Sequence, residues 1–386
     1  MILGAGIYQL PLIKKAKDLG MYVIVCSTKG NYPGFSYADH FYYVDTTDRE
    51  TILEISKKEN IDGICTTGTD VAVTTIGYVC EKLGLTGISF RSAQIATNKA
   101  NMKLCFQENQ ISTAPFYKIY SKEEALMAFD RLYKPVVIKI VDKSGSRGIY
   151  RIDSREQVST AFEAALKQTC LPYILMEDFI HGHEIGIDAL VQNEEIKLLL
   201  PHDKLLFLNG QTAIPIGHVF PLEMSETVIN KLNKVAIQTI SAMKLNNCAV
   251  NMDVFVTPDD EVFVIEVGGR AGATGIPELM SIYSGYNYYE NILRIALGEE
   301  VFIGELEKTP CASILFHAPT TGILQSIHFP QMDNTEYAVD FEIGHHVNEM
   351  KNGTDRIGQA IIRDHSPALL KAKIERLLKE TIIEVT

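Results

Sequence analysis

In Ala249-Val250-Asn251-Met252-Asp253-Val254-Phe255-Val256 and Val262-Phe263-Val264-Ile265-Glu266-Val267, two largely β-branched runs flank the turn chemistry of Thr257-Pro258-Asp259-Asp260-Glu261. That pattern predicts a β-hairpin. With Asp259 and Asp260 as the central turn pair, Asp253 faces Glu266 across the strands. Side chains so placed start ~4.5–5.5 Å apart, and like charges there are unfavourable. Apolar neighbours raise the cost further. A divalent cation between the two acids removes the conflict. Hard oxygen ligands favour Mg²⁺, with Mn²⁺ as a substitute, and such an ion takes its remaining ligands from water and substrate phosphates. The alternative is that one acid points to solvent, because a one-residue slip would put the two on opposite faces. After Glu266 comes Val267-Gly268-Gly269-Arg270-Ala271-Gly272-Ala273-Thr274-Gly275. Glycines such as Gly272 let a backbone approach a substrate closely. Arg270 adds a planar cation suited to carboxylate or phosphate.

Upstream, Lys134-Pro135-Val136-Val137-Ile138-Lys139-Ile140-Val141 reads as a buried strand interrupted by Lys139. Buried lysines are almost never left unpaired, so Lys139 is expected to face an anion. The loop behind it, Asp142-Lys143-Ser144-Gly145-Ser146-Arg147-Gly148-Ile149, offers backbone N–H groups, hydroxyls and cations, a set able to wrap polyphosphate. It is not a P-loop, since GxxxxGK[ST] is absent. The competing reading is a plain hairpin turn beside an edge-strand lysine. Ser121 with Glu124 and Ser154 with Gln157 are capping-box signals that start helices near 122 and 155. A strand Tyr173 to Met176 then leads to Glu177-Asp178-Phe179-Ile180, and Gly182-His183-Glu184 precedes an apolar strand from Ile185 to Val191.

Residues 1–88 alternate short apolar strands (Ile2-Leu3, Tyr22 to Cys26, Phe41 to Val44, Ile61 to Thr66, Thr86 to Ile88) with helical stretches, which predicts a parallel sheet with crossover helices. Gly4-Ala5-Gly6 fails the dinucleotide pattern. Gln9 holds the third glycine position, and strand two ends in Val25-Cys26-Ser27 without an acid. The helix that follows keeps an amino terminus suited to an anion. The net charge of −12 argues against non-specific nucleic-acid or membrane binding. No apolar run approaches the ~18 residues of a membrane span, and the first residues do not read as a signal peptide. Seven scattered cysteines without a CxxC read as small buried hydrophobes in a reducing, cytoplasmic setting. The ten histidines show no metal spacing.

Taken in order, the lysine strand with its glycine loop, the hinge Glu, and the paired-acid hairpin ending in Glu266-Val267-Gly268-Gly269-Arg270 resemble the ATP-grasp superfamily. The leading segment looks like the sheet domain of biotin carboxylase. Closest in pattern are carboxylate–amine ligases of the L-amino-acid-ligase type, whose Gly-His-x-x-Pro segment is similar to Gly217-His218-Val219-Phe220-Pro221. The resemblance implies an α/β chain in three parts: a Rossmann-like sheet domain (1–88), a two-lobed ATP-grasp domain (89–305) and a small α+β domain (306–386). It also implies roles. Lys99 and Lys139 contact ATP phosphates, and Ser144, Gly145, Ser146, Arg147 and Gly148 close over them. Glu177 accepts from the adenine amino group, Ile180 bonds the ring through its backbone, and Glu184 holds the ribose. Asp253 and Glu266 bind Mg²⁺, and Arg270 steadies the acyl phosphate. The family is commonly homodimeric.

Three departures stand out. Gly268 replaces a frequent Asn metal ligand, Asp253 stands where Glu is common, and Ile214-Pro215-Ile216 lacks the carboxylate expected before His218. His218 therefore reads either as a substrate contact or as a satisfied buried imidazole. The implied activity is ATP-dependent joining of a small-molecule carboxylate to an amine through an acyl phosphate. Bicarbonate activation and a catalytically silent ATP-binding protein are the rivals.

Overall fold

The computed structural model describes residues 1–142, 148–209, 212–351 and 355–386. Its strands in chain order are β1 (Ile2–Leu3), β2 (Ile24–Ser27), β3 (His40–Tyr43), β4 (Phe116–Ile119), β5 (Val136–Lys139), β6 (Ile149–Ile152), β7 (Ile174–Asp178), β8 (His183–Gln192), β9 (Glu195–Asn209), β10 (Thr212–Phe220), β11 (Cys248–Val256) and β12 (Val262–Gly268). They continue with β13 (Cys311–His317), β14 (Gly322–His328), β15 (Thr335–Val339), β16 (His346–Val347), β17 (Arg356–Arg363) and β18 (Ile382–Val385). Packing divides the chain into two compact units. The first holds Met1–Pro201, Met224–Ala273 and Tyr289–Ile303, and the second holds His202–Glu223, Thr274–Tyr288 and Gly304–Thr386.

In the first unit, β1-β2-β3 form the expected parallel sheet, but it is smaller than predicted. Ile61 to Thr66 contributes a single bridge, at Cys65 to Ile2. Thr86 to Ile88 is no strand, because Ser89 Oγ caps a helix Phe90–Ala96 that the periodicity did not reveal. The glycine turn is closed from within. Gln9 Oε1 accepts from Gly6 N at 3.0 Å and its Nε2 donates to Thr67 O, so the Gly6 N–H is already taken.

A second sheet, β4-β7-β5-β6, is antiparallel throughout. Its cover is the helices Lys122–Arg131 and Arg155–Leu166, which bury Phe129, Val158 and Phe162 with Val136 and Ile138 of β5. Each such side chain contributes about 1.5–3 kcal/mol on burial. Ser154 and Gln157 complete a capping box, and Ser121 accepts from Glu124 N. Strand β7 runs two residues further than predicted, so Glu177 and Asp178 lie inside it.

The third sheet brings β12, β11 and β8 together. Asp253 does face Glu266, but by a different route from the predicted one. Thr257 N bonds Glu261 O, and Asp260 is left-handed at φ 59°, so the loop is three residues long, not two. That register alone would pair Asp253 with Ile265. A bulge between Val264 and Glu266 leaves Ile265 unpaired and restores the facing acids. The bulge sits where Val264 N turns outward to Ser112 O at 2.8 Å.

In the second unit, β10, β13, β17 and β15 pair antiparallel beside the end of β9, and β16-β14-β18 form a small sheet. The helix Pro367–Glu380, capped by Ser366, packs Leu370, Ile374 and Leu377 against Ile314 and Ile362. No helix among the described residues is long and apolar enough to cross a membrane.

Cys26, Cys80, Cys105 and Cys311 are buried as expected, Cys65 and Cys248 are partly exposed, and Cys170 is exposed. Burial pushes the thiols of Cys26, Cys80, Cys248 and Cys311 up to about 12 and Cys65 to about 11. Thiolates are the reactive species. An aromatic disulfide reagent at pH 7.5 is therefore expected to titrate one thiol rapidly in the native protein and all seven after denaturation. Two or more fast native thiols would contradict the packing.

Candidate active site

The site residues of the first unit come from three directions. Asn98 Oδ1 caps the helix Lys99–Glu108, accepting from Ala100 N and Asn101 N, which fixes Lys99 at its first turn. Lys99 Nζ donates to Glu266 Oε1 at 2.7 Å. The hairpin presents Glu266, a third exposed, opposite a partly exposed Asp253. This arrangement suits a hard divalent cation. Two facing carboxylates are both partly exposed, and oxygen donors so placed are of the kind such ions prefer. Among the described residues no third His, Cys, Asp or Glu joins them, so water and phosphate oxygens would complete the shell.

Lys139, at the end of β5, does face an anion, and the anion is Glu177 of the same chain. Glu177 is 2% exposed and has a second lysine, Lys103, whose Nζ stands 2.7 Å from Oε2. Burial pushes this carboxyl up, but Lys103 and Lys139 together outweigh it and hold it at about 2. The Glu177 carboxylate, for which the resemblance implies a contact with an adenine amino group, stands between two ammonium groups. Lys103 also donates to Thr113 Oγ1 at 2.6 Å, and Thr113 Oγ1 donates to Val264 O.

Arg270 follows the hairpin. Its guanidinium donates to Asp70 Oδ2 at 2.7 Å, to Asn251 Oδ1 at 3.1 Å and to Ala271 O at 3.2 Å. Burial works against the Arg270 charge, but Asp70, Asp188 and Glu266 outweigh it. Asn251 Nδ2 continues to Asp188 Oδ2, and Gly272 N donates to Asp188 Oδ1. Gly268, read as a missing ligand, has a steric reason: a Cβ there would lie 2.9 Å from Asp70 Oδ1. Asn251 is its cross-strand partner. Gly148 (φ +70°) is equally constrained, with a Cβ falling 2.1 Å from Ile140 Cδ1. Ser144, Gly145, Ser146 and Arg147 lie outside the described residues. Glu184 sits on β8 opposite Phe255 of β11, and Ile180 lies partly exposed just after β7.

Sequence reasoning missed Lys103, Asp188 and Asn251, and marked 68–70 as substrate-facing without pairing Asp70 to Arg270. Lys103 stands one helical turn after Lys99, and Asn251 lies two residues before Asp253 on the same strand face. Those spacings were readable. The pairing of Asp70 with Arg270, 200 residues apart, carried no local signal.

His218 belongs to the second unit, on β10. It is 3% exposed, its N–H donates to Ser313 Oγ at 3.1 Å, and its ring stands edge-on to His202 at 4.8 Å. Its Nδ1 lacks a hydrogen-bond partner among the described residues. Burial first, then His202 and Lys204, hold it well below the usual imidazole range. The unfolded chain takes up a proton below about pH 6.5 that the fold refuses, so this residue lowers stability by up to about 1.4 kcal/mol per pH unit on acidification. Comparing urea midpoints at pH 5 and pH 7, His218→Leu is expected to flatten that difference. An unchanged slope would show that His218 titrates freely.

A sheet that ends a strand in Lys139 and a hairpin with facing acids are the parts that the ATP-grasp resemblance implied. Residues 132–278 match the family model of the ATP-grasp domain. The chain carries an ATP-grasp domain and is an enzyme of that class. It is 24% identical to a formate-dependent phosphoribosylglycinamide formyltransferase of Prochlorococcus marinus over 313 residues, 77% of this chain and 75% of that protein. Against the alanine–anticapsin ligase of Bacillus subtilis it is 24% identical over 343 residues, 80% and 70% respectively. Among solved structures, phosphoribosylglycinamide synthetase from Anaerococcus prevotii superposes with TM-score 0.83 at 29% identity, and L-amino acid ligase from Bacillus licheniformis with 0.86 at 19%. Each alignment covers 100% of this chain and 98% of the other.

Proposed function

We propose that this protein is an ATP- and Mg²⁺-dependent carboxylate–amine ligase that works through an acyl phosphate. The observation that carries the reading is the facing pair Asp253 and Glu266, with Lys99 on one acid and Arg270 following on the same hairpin. Relatives named as amino-acid ligases support it. A cation held by Asp253 and Glu266 supplies charge neutralisation at the phosphates. A substrate carboxylate oxygen attacks the γ-phosphorus, and the bond to the β-phosphate oxygen breaks, releasing ADP. The amine nitrogen then attacks the acyl carbon and phosphate departs, with the amine proton going to solvent.

Phosphoryl transfer asks for positioning and electrostatics more than for a covalent nucleophile. Lys99 and Lys139 supply positive charge for the phosphates, Ile180 and Glu184 a nucleoside contact, and Arg270 with Gly272 a hold on the acid. The loop around Gly148 shields the acyl phosphate from water. His218 stands as a packing residue. The division at 1–88, 89–305 and 306–386, a cytoplasmic setting and a homodimer belong to the same reading.

The test is ADP release across pools of carboxylic acids and amines, with mass spectrometry of the product. An amide formed in step with ADP is expected. Turnover that requires bicarbonate and an amine but no organic acid would replace the reading with carboxylation. ATP binding without turnover on any pool would replace it with a silent binder.

A further inference from the structure

The proposed function uses Lys139 but leaves Lys103 without a task. Lys103 is 2% exposed, in the middle of the helix Lys99–Glu108, and lies 5.9 Å from the Phe116 ring centroid. Thr113 Oγ1 ties its ammonium to the backbone of β12. Lys139 is the more accessible of the two cations on Glu177, at 13% against 3% side-chain exposure. A buried carboxylate must keep a counter-charge at all times, because one left alone costs several kcal/mol. With two ammonium groups on Glu177, one is free to leave.

We propose that Lys103 is a positioning residue that stays paired with Glu177, so that Lys139 can exchange Glu177 for the phosphates of an incoming nucleotide. The inference rests on the ATP-dependent reading only for the identity of the anion. Without Lys103, Lys139 becomes the sole counter-ion of Glu177 and is trapped there. Lys103 touches no ligand in this scheme, and its effect is exerted through Lys139 alone.

The consequence is a rescue that simple damage to packing would not give. Lys103→Met should weaken binding of a non-hydrolysable ATP analogue with Mg²⁺ by at least about tenfold, within the range typical of coupled sites. Adding Glu177→Gln should restore most of it, since the amide no longer demands a cation. A second readout needs no nucleotide: competitive acylation of Lys139 by acetic anhydride, followed by peptide mass spectrometry. Lys139 should acylate more slowly in Lys103→Met than in the parent, and faster again in the double variant.

Unchanged analogue affinity and acylation in Lys103→Met would overturn the proposal, as would a double variant no better than the single one. If Lys103→Met does not fold, Glu177→Gln alone decides. Faster acylation of Lys139 is expected, and an unchanged rate overturns the idea. If the parent protein binds no ATP analogue, the functional reading fails, and the acylation order still decides the role of Lys103.

Discussion

Glu266→Ala is expected to lower ATP-dependent ADP release by on the order of 10³-fold, the loss typical when a preorganised transition-state charge partner is removed. Two effects act together. The site loses one of the two facing carboxylates available to a cation. Lys99 also loses the oxygen that holds its ammonium at 2.7 Å. Stability should fall too, because Lys99, only 14% exposed, loses a partly exposed counter-ion. The measurement is ADP release against Mg²⁺ concentration, with the thermal midpoint followed in parallel. A variant that retains Mg²⁺-dependent turnover at the parent rate would remove the cation from this hairpin.

Arg270→Ala should behave differently. Nucleotide affinity should persist while amide formation falls by about 10²–10³-fold, because the guanidinium serves the acid and its acyl phosphate. Stability should fall as well. Asp70 is only 17% exposed, and a largely buried carboxylate that loses its counter-ion costs about 3–5 kcal/mol. Combining Arg270→Ala with Asp70→Asn should return most of the stability and none of the turnover. Equal recovery of both would make Arg270 a structural residue and nothing more.

How legible the site was depends on the range of each interaction. The need of Lys139 for an anion could be read from one strand, since a charge inside an apolar run must be paired. Which anion it meets could not, because Glu177 arrives from β7, an antiparallel neighbour. The facing acids were predicted through a two-residue turn that does not exist. A three-residue loop and a bulge at Ile265 offset one another. Either irregularity alone would have turned the acids to opposite faces. The strand expected at Thr86 to Ile88 failed because the cap at Ser89 favours a helix start. The departure at Gly268 looked like a loss. A Cβ there would lie 2.9 Å from Asp70 Oδ1, so the glycine leaves room beside the Asp70–Arg270 pair.

Residue order alone therefore set the helix caps at Ser121 and Ser154, the paired strands of the acidic hairpin, and the demand of each apolar-flanked charge for a partner. These are short-range matters of hydrogen bonding, side-chain period and desolvation, acting within a few residues. Only the folded chain decided which partners meet: Lys103 with Glu177, Lys99 with Glu266, and Asp70 with Arg270. Such pairs are set by where separate helices, loops and strands converge, and the free energy that selects them is the cost of burying a charge without its opposite.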